Sequence, residues 1–189
     1  MNATLSTIAS RYSCRAFTSA PIPKADLQTI VTAGVQAPSS RGNAPWYLAV
    51  VTRRSLIDDI KGKAWELICR HAPLSKERIM ERGGDLFYNA QALVVVATRP
   101  TWDFTTEQFD AGLLTENICL AATSLGIGSC ICGFATQAWR DWPAGDGERL
   151  SKALEFPWGY QMCVGILLGY PAHDGQQHPT DTSVTRFFE

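Results

Sequence analysis

Apolar residues recur along this chain in two rhythms, one of about 3.6 residues and one of two, with polar loops between them. After Pro23, Leu27, Ile30, Val31 and Gly34 share one helical face, which predicts a helix that ends before Pro38. Residues 47–52 are apolar and β-branched and predict a strand. Ser55, with Asp58 three residues on, resembles a helix N-terminus, and Ile57, Ile60, Ala64, Leu67 and Ile68 then line one side of the helix it would open. Residues 75–82 predict a short charged helix stopped by Gly83 and Gly84, a surface cover over something else. The unbroken apolar run 92–98 predicts a strand buried on both faces, at the sheet centre.

Between residues 105 and 125 the apolar positions Phe109, Leu113, Leu114, Ile118, Leu120, Ala121, Ala122 and Leu125 wrap most of a helix, which predicts a buried helix stopped by Gly126. Residues 129–132 and 161–168 read as two further strands, with a short helix near 148–154 between them. Helices and strands alternate too irregularly for repeated βαβ units, so the pattern favours an α+β layered fold in a single domain over residues 1–189. The tail is polar until Val184-Thr185-Arg186-Phe187-Phe188. Exposed terminal aromatics are a liability unless they dock, and a partner subunit is the natural dock.

Composition narrows the partners. At 189 residues, 46% hydrophobic and a net charge of -1, with no basic run, the chain carries no footprint for nucleic acid or an anionic membrane, which points to a small-molecule partner. The uncharged stretch 117–139 contains Ser, Thr, Gln and three glycines, and a buried helix running into a strand explains it better than a membrane span. No basic and apolar leader opens the sequence, so a cytoplasmic location is expected. Six scattered cysteines suit reduced thiols. Cys130-x-Cys132 lacks a second pair or a nearby His, so no metal site is expected, and strand alternation puts both side chains on one face.

Three segments carry chemistry. In Arg11-Tyr12-Ser13-Cys14-Arg15, two guanidinium groups flank a hydroxyl. This set suits a phosphate or a cofactor that becomes anionic on reduction, although two solvated arginines would read the same way. Residues 38–46, Pro-Ser-Ser-Arg-Gly-Asn-Ala-Pro-Trp, form a small-residue loop that could approach a ligand or merely connect two elements. Residues 126–134, Gly-Ile-Gly-Ser-Cys-Ile-Cys-Gly-Phe, run from helix to strand. They are therefore neither a dinucleotide fingerprint nor a nucleophile elbow, but they offer bare backbone to a flat ring.

Taken in order, these segments, the long helix 109–128 and the late Gly169-Tyr170-Pro171 resemble the nitroreductase family of FMN-dependent enzymes, over nearly the whole chain. The resemblance implies an antiparallel-rich sheet wrapped by helices, and an intertwined homodimer with swapped C-terminal tails. It makes Arg11 and Ser13 ligands of the FMN phosphate and ribityl side, counts Tyr12 among the cofactor contacts, and sets Arg15 beside the ring's N1 and C2 carbonyl. Pro38, Ser39 and Ser40 would come from the other subunit, Ile131, Cys132 and Gly133 would line the ring, and Arg186 would be a second phosphate ligand. Asn43 is counted with the cofactor contacts, although it stands directly before Ala44-Pro45-Trp46 where many members have Asn-x-Gln-Pro-Trp. The chain also lacks the long helical excursion that covers the substrate in larger members, which leaves the pocket open or capped by residues 74–82.

The implied activity passes electrons from NADH or NADPH to nitroaromatics, quinones or similar small acceptors, with ping-pong kinetics, the flavin carrying the reaction. No side chain is required as acid or base, and His71, His173 and His178 read as surface residues. The rival readings are a specialised member of the same fold, such as an ene reductase or dehalogenase, and a flavin-binding or redox-sensing protein without turnover.

Overall fold

The run at 92–98 is uniformly apolar because both of its faces meet an apolar layer. The computed structural model describes residues 1–100, 106–142, 144–177, 179 and 181–188. Within them β1 (Trp46–Val51), β2 (Ala92–Thr98), β3 (Gly128–Cys132) and β4 (Gln161–Gly169) form one sheet in the order β1-β2-β4-β3. Every neighbouring pair is antiparallel, with a register shift between Val96 and Ala97. Leu93, Val95 and Leu167 point into one core, and Ala92, Val94, Val96, Ile166 and Leu168 into the other.

Helices cover both faces. The first core is closed by α3 (Arg54–His71), α4 (Pro73–Glu81), α6 (Gly145–Ala153) and a 3₁₀ segment, Gly133–Trp139. The second is closed by α2 (Lys24–Val35) and α5 (Glu107–Ser124). The architecture is α+β, as the element order predicts. Gly34 explains how α2 and α5 come close: a Cβ there would stand 2.6 Å from Ile118 Cγ1. Charge ties α6 to α3, where Arg149 grips Asp59 through two bonds of 2.7 and 2.9 Å.

Several expectations need correction. The chain opens with α1 (Ala3–Ser10), which the apolar pattern did not show because none of its residues is buried; Asn2 caps it by accepting from the Leu5 amide at 3.0 Å. The third helix begins at Arg54, not at a Ser55 cap. Asp58 instead pairs with Arg54 at 3.0 Å, one helical turn away. Helix α5 is buried on one side only: Leu114, Ile118 and Ala122 are inaccessible, whereas Phe109 is 70% exposed and Leu125 is exposed at the far end. The 3₁₀ segment Gly133–Trp139 had no periodic signature. Residue 105, the expected start of the long helix, lies outside the described residues, as does His178; His71 and His173 are exposed. No helix among the described residues is long and apolar enough to cross a membrane. All six cysteines are free.

Candidate active site

The N-terminal segment after α1 is extended and adds itself to the sheet edge. Ser13 makes a parallel bridge with Ser129, the Cys14 amide donates to the Ser129 carbonyl at 2.8 Å, and Phe17 pairs with Pro171. Gly128 permits this approach, since a Cβ on it would stand 2.9 Å from Cys14 Cβ. The arginine motif is thereby locked beside the glycine-rich motif, although 110 residues of sequence lie between Arg15 and Gly126.

Between them opens a cleft of about 430 Å³, within the ordinary range for small-molecule sites. Arg15, Cys130, Ile131, Cys132 and Gly133 line it, so four expected contacts, Arg15, Ile131, Cys132 and Gly133, converge here. Strand alternation sets its floor: Cys130 and Cys132 turn into the first core, and Ile131 between them is 48% exposed toward the opening. A Cβ on Gly133 would meet nothing within 4 Å. Packing within the chain therefore does not call for a glycine here, and the bare backbone faces space that a flat ligand can fill.

Burial pushes up the thiols of this floor and of the other core. Cys132 is raised to about 12 and Cys119, in the second core on the buried side of α5, to about 11, both mainly because the anion would lose its solvation. Cys14 and Cys130 are raised for the same first reason.

Arg82, at the end of the segment 74–82 that could cap the pocket, and Phe134, at the end of the glycine-rich motif, complete the cleft wall with Tyr88 and Gln137, which no sequence motif singled out. Tyr88 and Asn89 have φ of 53° and 62°, a left-handed conformation that tyrosine rarely adopts. Asp85 holds that turn, accepting from the Phe87 amide at 3.0 Å and the Asn89 amide at 2.8 Å, while the Asn89 side chain donates to the Phe17 carbonyl at 3.1 Å. Only the glycine stop after residue 82 hinted that this stretch turns sharply.

Other expected residues lie apart. Tyr12, Ser13 and Arg15 line a second cleft of about 200 Å³ with His173 and Asp174. There the tail packs so tightly that a Cβ on Gly175 would overlap the Tyr12 ring. Arg11 is ion-paired with Glu116 of α5 at 3.1 Å. Pro38, Ser39, Ser40 and Asn43 do not line the main cleft of their own chain. Their loop is pinned elsewhere: the Ser40 amide donates to Asp110 at 3.1 Å and the Ala44 amide to Ser39 Oγ at 2.8 Å, with Arg41 and Ala44 at positive φ. Arg186 donates to the carbonyls of Ser183 and Thr185 in its own tail, where Val184, Phe187 and Phe188 are exposed.

The model of the nitroreductase family matches residues 8–170, which include the whole sheet and every residue of the main cleft. The chain belongs to the nitroreductase family. Membership makes it a flavin oxidoreductase. It is similar to an FMN-bound nitroreductase of Desulfitobacterium hafniense DCB-2, at 36% identity over 100% of both chains with a TM-score of 0.94. It is also similar to an FMN-bound nitroreductase of Bacteroides fragilis, at 25% identity over 100% of both chains with a TM-score of 0.85. An Archaeoglobus fulgidus protein named for NADH dehydrogenase and NAD(P)H nitroreductase is 27% identical over 184 residues, 96% of this chain and 92% of that protein.

Proposed function

We propose that this nitroreductase-family chain is one FMN-binding domain, working as a homodimer that oxidises NADH or NADPH and reduces nitroaromatics, quinones or similar small acceptors. The observation that carries the reading is the cleft itself, where Arg15 lines a wall opposite the end of β3 and Gly133, just past that strand, leaves its backbone open to space large enough for a flat ring. FMN supplies the two-electron chemistry when bound. Arg15 sets a fixed positive charge where reduction would place negative charge, Ile131 offers an apolar floor, and the Gly133 backbone lets a ring lie close. Arg11 and Ser13 would hold the phosphate and ribityl side, with Tyr12 among the cofactor contacts. On the family resemblance Pro38, Ser39 and Ser40 would serve the partner's site and Arg186 a phosphate across the interface, which agrees with their lying outside the cleft of their own chain.

Reductant and acceptor would occupy the same cleft in turn, so initial rates should give parallel double-reciprocal lines. The thiols that line the cleft are poorly suited to redox sensing, since burial raises Cys130 and pushes Cys132 up to about 12, which leaves little thiolate there at neutral pH. The test is spectroscopic: the purified protein should be yellow with stoichiometric FMN, bleach anaerobically with NADH or NADPH, and recover its colour with a nitroarene. A protein that takes up no FMN would overturn the reading, and one that is reduced but never reoxidised by acceptors would remove the turnover.

A further inference from the structure

We infer that Arg82 selects for anionic acceptors by holding the carboxylate of an aromatic substrate at the open side of the cleft. The inference rests on the flavin reading above and deepens it by naming the substrate class. Arg82 lines the cleft from the end of α4, where its backbone amide caps the helix onto Ile79 and Met80 and the glycines at 83 and 84, with φ of 93° and 75°, turn the chain away. A cation at a helix C-terminus is favoured by the exposed carbonyl ends. Its guanidinium makes no hydrogen bond or ion pair with another described residue, and no Asp or Glu lines the cleft. Asp85, three residues on, is occupied by two backbone amides and by Lys61 at 3.5 Å.

The cleft therefore holds two guanidinium groups and no carboxylate among its lining residues. Both charges reach the same thiol: Arg15 and Arg82 each favour the ionised form of Cys130, against the larger effect of burial. On the flavin reading Arg15 is taken by the cofactor's pyrimidine edge, which leaves Arg82 uncompensated beside Ile131, Tyr88 and Phe134. An aromatic ring can pack on those side chains while its carboxylate meets the planar fork of the guanidinium in two parallel bonds. A neutral ring of the same shape gains the packing alone.

The test uses the FMN-loaded protein, wild type, Arg82→Gln and Arg82→Lys, with benzoate and benzamide as non-reducible probes titrated by calorimetry. Wild type should prefer benzoate, and Arg82→Gln should lower the benzoate to benzamide affinity ratio by about tenfold, the size of one charge-assisted contact. Arg82→Lys should restore part of it. In turnover, the ratio of KM for nitrobenzene to KM for 4-nitrobenzoate should fall in the same proportion. Equal affinity for the two probes in wild type overturns the inference, as does an unchanged ratio accompanied by weaker FMN binding or a higher KM for NADPH, which would give Arg82 to the cofactor or to the nucleotide phosphate. Flavin content read by absorbance before each titration separates the two ideas. A flavin-free protein overturns the reading on which the inference rests, whereas a flavin-loaded protein that ignores the charge of the probe overturns the inference alone.

Discussion

Arg15 lies at the cleft wall with no hydrogen bond or ion pair to another described residue, so its charge is available to whatever fills the space. If it faces the edge of the ring that becomes negative, Arg15→Met should lower the two-electron midpoint potential by about 30 to 65 mV, the equivalent of one hydrogen bond to a charged group. A potential unchanged in the mutant, with FMN bound more weakly, would make Arg15 a phosphate ligand instead. The buried thiols give a second expectation at this scale. Cys119 and Cys132 have folded values of about 11 and 12, above the ordinary thiol value, so the stability they lend is complete below pH of about 8.5 and is lost as pH rises through those values. Denaturant midpoints should therefore fall between about pH 9 and 12, and substituting Cys132 by Ala should flatten part of that fall. Neither arginine's surroundings were legible from its own neighbours in sequence, because the cleft is made by β3, the N-terminal segment and the end of α4 meeting in space.

Among the elements, the turn from residue 85 to 90 carries Tyr88 into the cleft in a conformation it would not adopt alone. Asp85→Ala removes the acceptor of two amides and should destabilise the protein by about 1 to 3 kcal/mol, the cost of leaving such groups unsatisfied. Thermal unfolding measures the loss, and weaker FMN binding should accompany it if the turn shapes the cleft wall; a melting temperature within error of the parent would show that the turn holds without Asp85. The α2–α5 contact is equally specific. Gly34→Val would drive a side chain into Ile118 and should cost about 1 to 3 kcal/mol, as overpacking does. Strands and the larger helices were readable because each repeats its apolar pattern over several turns or pleats. Helix α1 buries no residue and so wrote no stripe, the 3₁₀ segment is too short and irregular for a period, and the Ser55 cap failed because Arg54 pairs with Asp58 inside the helix.

For the whole molecule, the exposed Phe109 of α5 and the exposed Val184, Phe187 and Phe188 of the tail are apolar surfaces that a second copy would cover on the proposed reading. Removing residues 183–189 should then weaken FMN binding by a factor of about 10 or more, since it deletes Arg186 with its aromatic neighbours. Equilibrium dialysis of the truncated protein checks this, and an unchanged dissociation constant would leave Arg186 an ordinary surface residue. The sequence by itself determined the α+β class and the sheet centre at residues 92–98 and marked the Arg11–Arg15 and Gly126–Phe134 segments as candidate ligand contacts, because periodicity and residue type are local properties that neighbours in the chain already express. Only the tertiary structure decided that Arg15, Gly133, Arg82 and Tyr88 share one cleft, that Arg11 pairs with Glu116, and that one side of α5 is left uncovered by its own chain. Those facts depend on which strands become neighbours and how closely glycines such as Gly34 and Gly128 let the layers approach. Such contacts join residues far apart in sequence, and no local pattern records them.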